Sequence, residues 1–305
     1  MARPMPELDQ VLDEIPLLAD PSRTVSLLAG GLTNSNYRVD TSSGSYHVRR
    51  WSDDTGLLAI DRDNEYHNSV RAAQAGVGAG VLAYLPEHNT MVMEWIDGRT
   101  LSAAELRRGT MLDEVAAACR RLHAAARFRD DFDMFEIQPR YLGIVRDRGF
   151  RLPDRYDQFE PHVAAIREAL AVRDEGTVPC NNDLLAENFM LTPAGLRLID
   201  YEYSGNNDPC FELGNIWSES NLSLEQLEQL IWAYYGQPAR HKVARARLWG
   251  LMSKYGWTLW ASIQDGVSRI DFDFWSWGLE KYDRAVEEFE SPDFELLLEE
   301  ARRSD

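Results

Sequence analysis

Three side chains in the middle of the chain have the types and spacing needed for metal-assisted proton transfer. In "NNDLLAENFML", residues 181–191, Asp183 is followed after four residues by Asn188, and "LIDYEY" then brings Asp200. Magnesium takes hard oxygen ligands, usually one or two carboxylates, with phosphate oxygens and water completing its shell. Asn188 and Asp200 meet that modest requirement, which leaves Asp183 to accept a proton from an attacking hydroxyl. An aspartate, a four-residue gap, an asparagine and a later aspartate is the order used in phosphoryl transfer. An isolated D-x-x-x-x-N carries little weight and also reads as polar surface between apolar runs. The setting gives it force: an apolar strand follows, then a turn at Thr192–Gly195, then a second strand, "LRLID", ending in the acid.

The elements that must position these groups fall into two styles. "LDQVLDEIPLL" has helical spacing, and "SLLAGGLTNSNYRVDTSSGSYHVRRW" alternates around Tyr37–Val39 and Tyr46–Val48, with "TSSGS" as a hairpin turn. "DRDNEYHNSVRAAQAG" reads as a helix stopping at Gly76. "VLAYLPEHNTMVMEWI" reads as two strands around a turn at Glu87–Thr90. After a join near Trp95–Gly98 the pattern is mostly helical: "MLDEVAAACRRLHAAARF", "YDQFEPHVAAIREAL" and nearly everything from Phe211 to about Arg302. The expectation is an α+β chain with a small antiparallel-sheet N-lobe, residues 1–96, and a larger, mainly helical C-lobe, residues 97–305.

In the first lobe, Gly30 and Gly31 lie between strands, where backbone N–H groups can approach phosphate oxygens. A tight turn explains the pair equally simply. Arg49 and Arg50 point to opposite faces of their strand, so one is expected in the cleft and the other in solvent. Glu65, on the next helix, is placed to pair with a cleft arginine or to face water.

Composition narrows the classes. The chain has 305 residues, 44% apolar and 27% charged, and its 32 basic and 50 acidic side chains give 32 − 50 = −18. That charge disfavours nucleic acid and anionic membrane surfaces; it suits a cationic small substrate, and solubility alone explains it equally simply. Cys119, Cys180 and Cys210 form no CxxC pair, and the six His form no HExxH or HxH group, so neither a disulfide framework nor a transition-metal site is expected. "MARPMPELDQVLDEIPLL" lacks the long apolar core of a secretory leader. No apolar run approaches the roughly 20 residues of a membrane span. A cytoplasmic monomer or homodimer is the expectation.

Five of the nine Trp lie between Trp249 and Trp277. Trp249, Trp257 and Trp260 share a helical stripe, and Phe274, Trp275 and Trp277 follow. Such a set packs a core or forms a cage for an ammonium ion, for which Trp is the best ring.

Taken together, "GGLTNSNYRV", "HVRRW", "MVMEWI", "NNDLLAENFML", "LIDYEYSGNNDPCFELGN" and "WTLWASIQ" resemble the choline/ethanolamine kinase family, related to aminoglycoside phosphotransferases within the protein-kinase-like fold. The resemblance runs from about Leu27 to Phe289 and implies a bilobal kinase that uses ATP and magnesium to phosphorylate a small cationic alcohol, choline above all. It implies Asp183 as catalytic base and Asn188 and Asp200 as magnesium ligands, with Glu202 supporting the metal or its water. Gly31, Leu32, Thr33, Asn34 and Ser35 would cover the phosphates. Arg49, paired with Glu65, would contact them, and Glu94, Trp95 and Ile96 would form the hinge beside adenine. Trp257, Trp260 and Trp277 would line the acceptor cage, with Glu219 as counter-charge. Two positions depart from the family pattern: Asn181 replaces a His, and Glu212 replaces an Asp. Ethanolamine, thiamine, an aminoglycoside or a sugar-like alcohol are the alternative acceptors. A nucleotide-binding regulator without catalysis is the alternative of a different class.

Overall fold

The alternation around Tyr37 and Tyr46 builds the hairpin it suggests, and a further strand on either side extends it. In the computed structural model, which describes residues 7–303, the strands are β1 (Thr24–Leu27), β2 (Asn34–Thr41), β3 (Gly44–Trp51), β4 (Val81–Leu85) and β5 (Thr90–Glu94). They form one antiparallel sheet in the order β1-β2-β3-β5-β4. Thr41 opposes Gly44, so the turn is Ser42–Ser43. Residues 1–6, part of the segment read as lacking a leader, lie outside the described residues.

Period-two alternation divides the sheet's side chains. Val39, Val48 and Val92 pack on one face under α1 (Leu8–Asp13), whose Val11 and Leu12 join Ile15 and Leu18 there. Trp51, Met91 and Met93 cluster on the other face, which also carries Arg49. Arg50 departs from the expectation. It does point away from Arg49, yet it is only 9% exposed and borders a 200 Å³ cavity with Trp51, Ser35 and Ile270.

Helix α2 (Arg62–Gln74) starts where Asp61 accepts from the Asn64 amide and ends before Gly76, at φ +72°. Its buried Asn64 and Asn68 donate to the Ser204 carbonyl (2.8 and 3.1 Å), and Ala72 and Val77 sit in the main core. The first lobe is thus docked through α2.

The second part carries two small sheets: β6 (Arg99–Thr100) with β8 (Phe189–Thr192) and β9 (Gly195–Leu198), and β7 (Val178–Cys180) with β10 (Gly205–Asn207). Around them stand α3 (Ala103–Leu106), α4 (Leu112–His123), α5 (Met134–Arg148), α6 (Glu160–Ala171), α7 (Pro209–Glu219), α8 (Leu224–Tyr235), α9 (Arg240–Val267), α10 (Phe274–Phe289) and α11 (Phe294–Arg302). The pattern gave no warning of α5, which contains Pro139. An interior proline costs a helix about 3 kcal/mol, but Phe135, Tyr141, Leu142 and Val145 are buried there. At about 1.5–3 kcal/mol for each large apolar side chain, packing outweighs the break. Helix α9 is the central post, buried from Leu248 through Gln264. No helix among the described residues is long and apolar enough to cross a membrane.

Candidate active site

The candidate loop leaves β7 and turns sharply at Asn182, whose φ is +68°. Both oxygens of the buried Glu212 accept backbone amides, from Asn181 (2.8 Å) and Asn182 (2.7 Å). The Asn181 carboxamide donates to the carbonyls of Ile199 (3.2 Å) and Asp200 (2.8 Å), and its oxygen accepts the Asp183 amide (3.1 Å). Asn215, one turn after Glu212 on α7, accepts the Leu184 amide at 2.9 Å. The extra methylene of Glu212 therefore still reaches the loop, and Asn181 ties the loop to the strand end that bears Asp200.

Asn188 donates its amide nitrogen to the Asp183 carbonyl (2.7 Å), which leaves its carbonyl oxygen for a cation. Arg49 engages Oδ1 of Asp200 at 2.8 Å, so the other oxygen of that carboxylate remains for the same purpose. Two hard oxygen donors of this kind fit a magnesium ion.

Charged groups in the cleft are tightly paired. Arg49 binds Glu65 at 2.6 Å as well as Asp200. Burial opposes its charge, but the surrounding carboxylates outweigh burial and hold it ionised. Arg62 binds Glu65 (2.6 Å) and Glu202 (3.3 Å). Glu202 also accepts from Thr33 (2.8 Å) and Asn34 (2.9 Å), so it clasps the glycine loop. Burial, then repulsion from Asp200, pushes the Glu202 carboxyl up to about 7. Burial, with Glu219, Asp200 and Glu202 adding repulsion, also raises Asp183 above the ordinary carboxylate range.

Two cavities meet at these groups. One, of 450 Å³, is lined by Gly31, His47, Arg49, Met93, Glu94, Trp95 and Ile96 along with Asn188 and Asp200. The other, of 410 Å³, is lined by Leu32, Thr33, Asp183, Glu202, Tyr203, Glu219, Trp257, Trp260, Phe272 and Trp277. Gly31, Glu187, Asn188 and Asp200 belong to both. A larger cavity of 640 Å³ lies between α8, α9 and α11 and contains none of the candidate residues.

Each residue singled out in the sequence can now be located. Asp183, Glu202, Glu219, Trp257, Trp260 and Trp277 share the second cavity. Of the five loop residues, Gly31 lines both, and Leu32 and Thr33 line the second. Thr33 also borders the small cavity beside Arg50, and Asn34 and Ser35 border that cavity instead of the other two. Gly31 has φ +93°, and a Cβ there would lie 2.8 Å from the Asn36 side-chain nitrogen and 3.0 Å from the Asn34 carbonyl oxygen, so the loop's tight path needs glycine. The side chain of Glu94 binds Arg197 at 2.5 Å. Trp249 is separated from its stripe: it donates to Asp208 (3.0 Å) and packs on Phe135 and Phe211. Eleven residues before Trp260, it sits about 16 Å along the axis, in another layer. Trp275 stacks on Arg151 at 4.0 Å.

Sequence reasoning passed over Tyr203, Phe272, Arg62 and Lys281. Tyr203 packs edge-on to Trp257 (4.8 Å) and accepts from the Trp260 indole (2.7 Å). Its signal was the second tyrosine of "DYEY". Lys281 pairs with Glu219 and lies over Trp277; the spacing of four between Trp277 and Lys281 was visible.

Motif absence also concealed a buried group. His123, Cys180 and Glu212 have potential ligand atoms within 4.8 Å of one another. Each already has a protein partner: Tyr234 for His123 (2.7 Å), the Asn207 carbonyl for Cys180 (3.7 Å) and two loop amides for Glu212.

Comparisons place this geometry among known proteins. Residues 25–236 match the family model described as choline/ethanolamine kinase. A choline/ethanolamine kinase family protein from Mesorhizobium loti has a similar structure, with TM-score 0.84 and 30% identity over 96% of this chain and 97% of that one. Choline kinase LicA from Streptococcus pneumoniae gives TM-score 0.78 and 26% identity, over 92% and 98%. Ethanolamine kinase 2 of Rattus norvegicus is 27% identical over 74% of this chain and 65% of its own length.

Proposed function

The chain belongs to the choline/ethanolamine kinase family and is a small-molecule kinase, and on that premise we propose that it transfers the terminal phosphoryl group of ATP to the hydroxyl of choline. The observation that carries this reading is the pair of adjoining cavities whose common wall contains Asn188 and Asp200, with Asp183 on the second side only. A nucleotide in the first cavity and an alcohol in the second would meet at that wall.

In this reading residues 1–96 handle the nucleotide and residues 97–305 supply the catalytic loop and acceptor site. The hinge Glu94–Ile96 borders adenine, with Glu94 contributing backbone because its carboxylate is held by Arg197. Arg49, fixed by Glu65, faces the phosphates, and Gly31 lets the loop close over them. Asn188 and Asp200 would hold magnesium, which when bound offsets phosphate charge. Asp183 receives the hydroxyl proton at a carboxylate oxygen. Its raised affinity for protons, with burial as the main cause, suits a base that must take a proton from an alcohol. Glu202 holds Thr33 and Asn34 and so keeps the loop over the acceptor.

Aromatic faces from Tyr203, Trp257, Trp260, Phe272 and Trp277 favour a quaternary ammonium, at roughly 0.5–2 kcal/mol per contact. One observation favours ethanolamine as a second reading. Oε1 of Glu219 is buried without a hydrogen-bond partner among the described residues, and the ammonium of ethanolamine has N–H groups to donate to it, whereas the quaternary nitrogen of choline has none. A cytoplasmic location is in keeping with this use of ATP.

The test is magnesium-dependent ADP release across choline, ethanolamine, thiamine and aminoglycosides. Choline is expected to give the highest kcat/KM, and Asp183→Asn to lower kcat by about 10²–10⁴ while ATP still binds. ATP binding with no turnover on any of these alcohols would point to a regulator instead. Near-normal turnover by Asp183→Asn would remove the base assignment.

A further inference from the structure

A lysine that the proposed roles do not use stands behind the wall of the acceptor cavity, against Glu219 and Trp277. Lys281 lies one helical turn after Trp277 on α10 and is 5% exposed. Its ammonium is 4.0 Å from the Trp277 ring centroid and pairs with Oε2 of Glu219. Glu219 lines the acceptor cavity with Asp183, and its side chain is 3% exposed. The pair is therefore shielded from water, and opposite charges attract more strongly there than in solvent.

Two other carboxylates of this wall are balanced in the same manner, Asp200 by Arg49 and Glu202 by Arg62. The lysine is also held from behind. Arg284, on the same helix, donates to the Ser218 carbonyl (2.6 Å) next to Glu219, which fixes α10 against the end of α7.

We propose that Lys281 sets the acceptor selectivity: by pairing with Glu219 and covering one face of Trp277, it cancels the local negative charge, so that ring faces rather than a free carboxylate hold the acceptor's ammonium group. The proposal rests on the reading that this cavity takes the acceptor. A cavity built this way favours a cation over a neutral molecule of the same shape only by what its ring faces supply. Removing the lysine charge leaves Glu219 to attract a cation directly, which widens the gap.

The test measures binding of tetramethylammonium and of 3,3-dimethylbutan-1-ol, the uncharged isostere of choline, by tryptophan fluorescence in wild type, Lys281→Met and Lys281→Arg. Lys281→Met is expected to tighten tetramethylammonium by roughly tenfold, the size of one charge-assisted contact, and to leave the alcohol unchanged. Lys281→Arg keeps the charge and is expected to match wild type. If Met prevents folding, Lys281→Gln keeps a donor for Glu219, removes the charge and makes the same comparison. Equal shifts for both ligands would mean that Lys281 only supports the wall, and would overturn the proposal. So would weaker tetramethylammonium binding in the neutral variants, or none in any variant. Because the probe has no hydroxyl, the readout is independent of turnover: the expected binding shift without ADP release on any acceptor would sink the kinase reading and leave this one standing.

Discussion

Asp183, Asn188 and Asp200 could be picked out because their relation is local: a loop and a short hairpin fix the spacing whatever surrounds them. Their ionic partners could not. Arg62 meets Glu202 across 140 positions and Lys281 meets Glu219 across 62, and no periodicity links residues so far apart. His47 shows what such surroundings do to one side chain. It lines the 450 Å³ cavity, contacts Asn36 at 3.1 Å, and burial, with Arg49 adding repulsion, pushes its imidazole down to about 4. An unfolded imidazole titrates near 6.5. Between those values the unfolded chain binds more protons, so His47 contributes stability that is present above pH 6.5 and lost as pH falls towards 4. Moving from pH 7.5 to 5 should cost wild type roughly 1–2 kcal/mol more than His47→Gln, read from urea midpoints at both pH values. Equal losses would show that His47 titrates normally in the fold.

The strands and most helices follow from apolar spacing, whereas α5 was hidden by its proline and revealed only by what it buries. The placement of α7 against α9 has a different cause. A Cβ on Gly214 would fall 2.0 Å from the Ala246 carbonyl, and one on Gly250 would fall 2.7 Å from the Gly214 carbonyl and 2.9 Å from the Trp217 ring. The two backbones touch, and this contact sets the end of α7, with Glu219, beside Trp257 and Trp260. In the sequence it appears only as two glycines on apolar faces. Gly250→Ala gains about 1 kcal/mol of helix propensity, but overpacking costs about 1–3 kcal/mol, and the backbone oxygen cannot yield without moving α7. Urea unfolding should show a net loss of stability. Steady-state kinetics should show KM for the acceptor rising several-fold while KM for ATP changes little. A variant as stable as wild type, with both KM values intact, would mean that the crossing has slack.

At the scale of the molecule, two kinds of attraction operate over different distances. The lobes are tied across the cleft by Arg49–Asp200, Arg62–Glu202, Thr33–Glu202 and the Gln264 amide on the Leu32 carbonyl (2.8 Å), so close-range charge is largely spent on holding the fold. The net charge of −18 remains, acts beyond contact range, and is screened over about 8 Å at physiological salt. A cationic alcohol should be drawn in by that field and then gripped by aromatic faces, which salt does not weaken. Raising ionic strength from about 20 to 300 mM should therefore lower kcat/KM for choline a few-fold, leave the neutral isostere unchanged, and raise kcat/KM for the anionic nucleotide. The opposite signs for the two substrates distinguish a field effect from general inhibition by salt. If choline and its isostere respond alike, the acidic surface has no part in acceptor capture, and its role is confined to keeping the protein in solution.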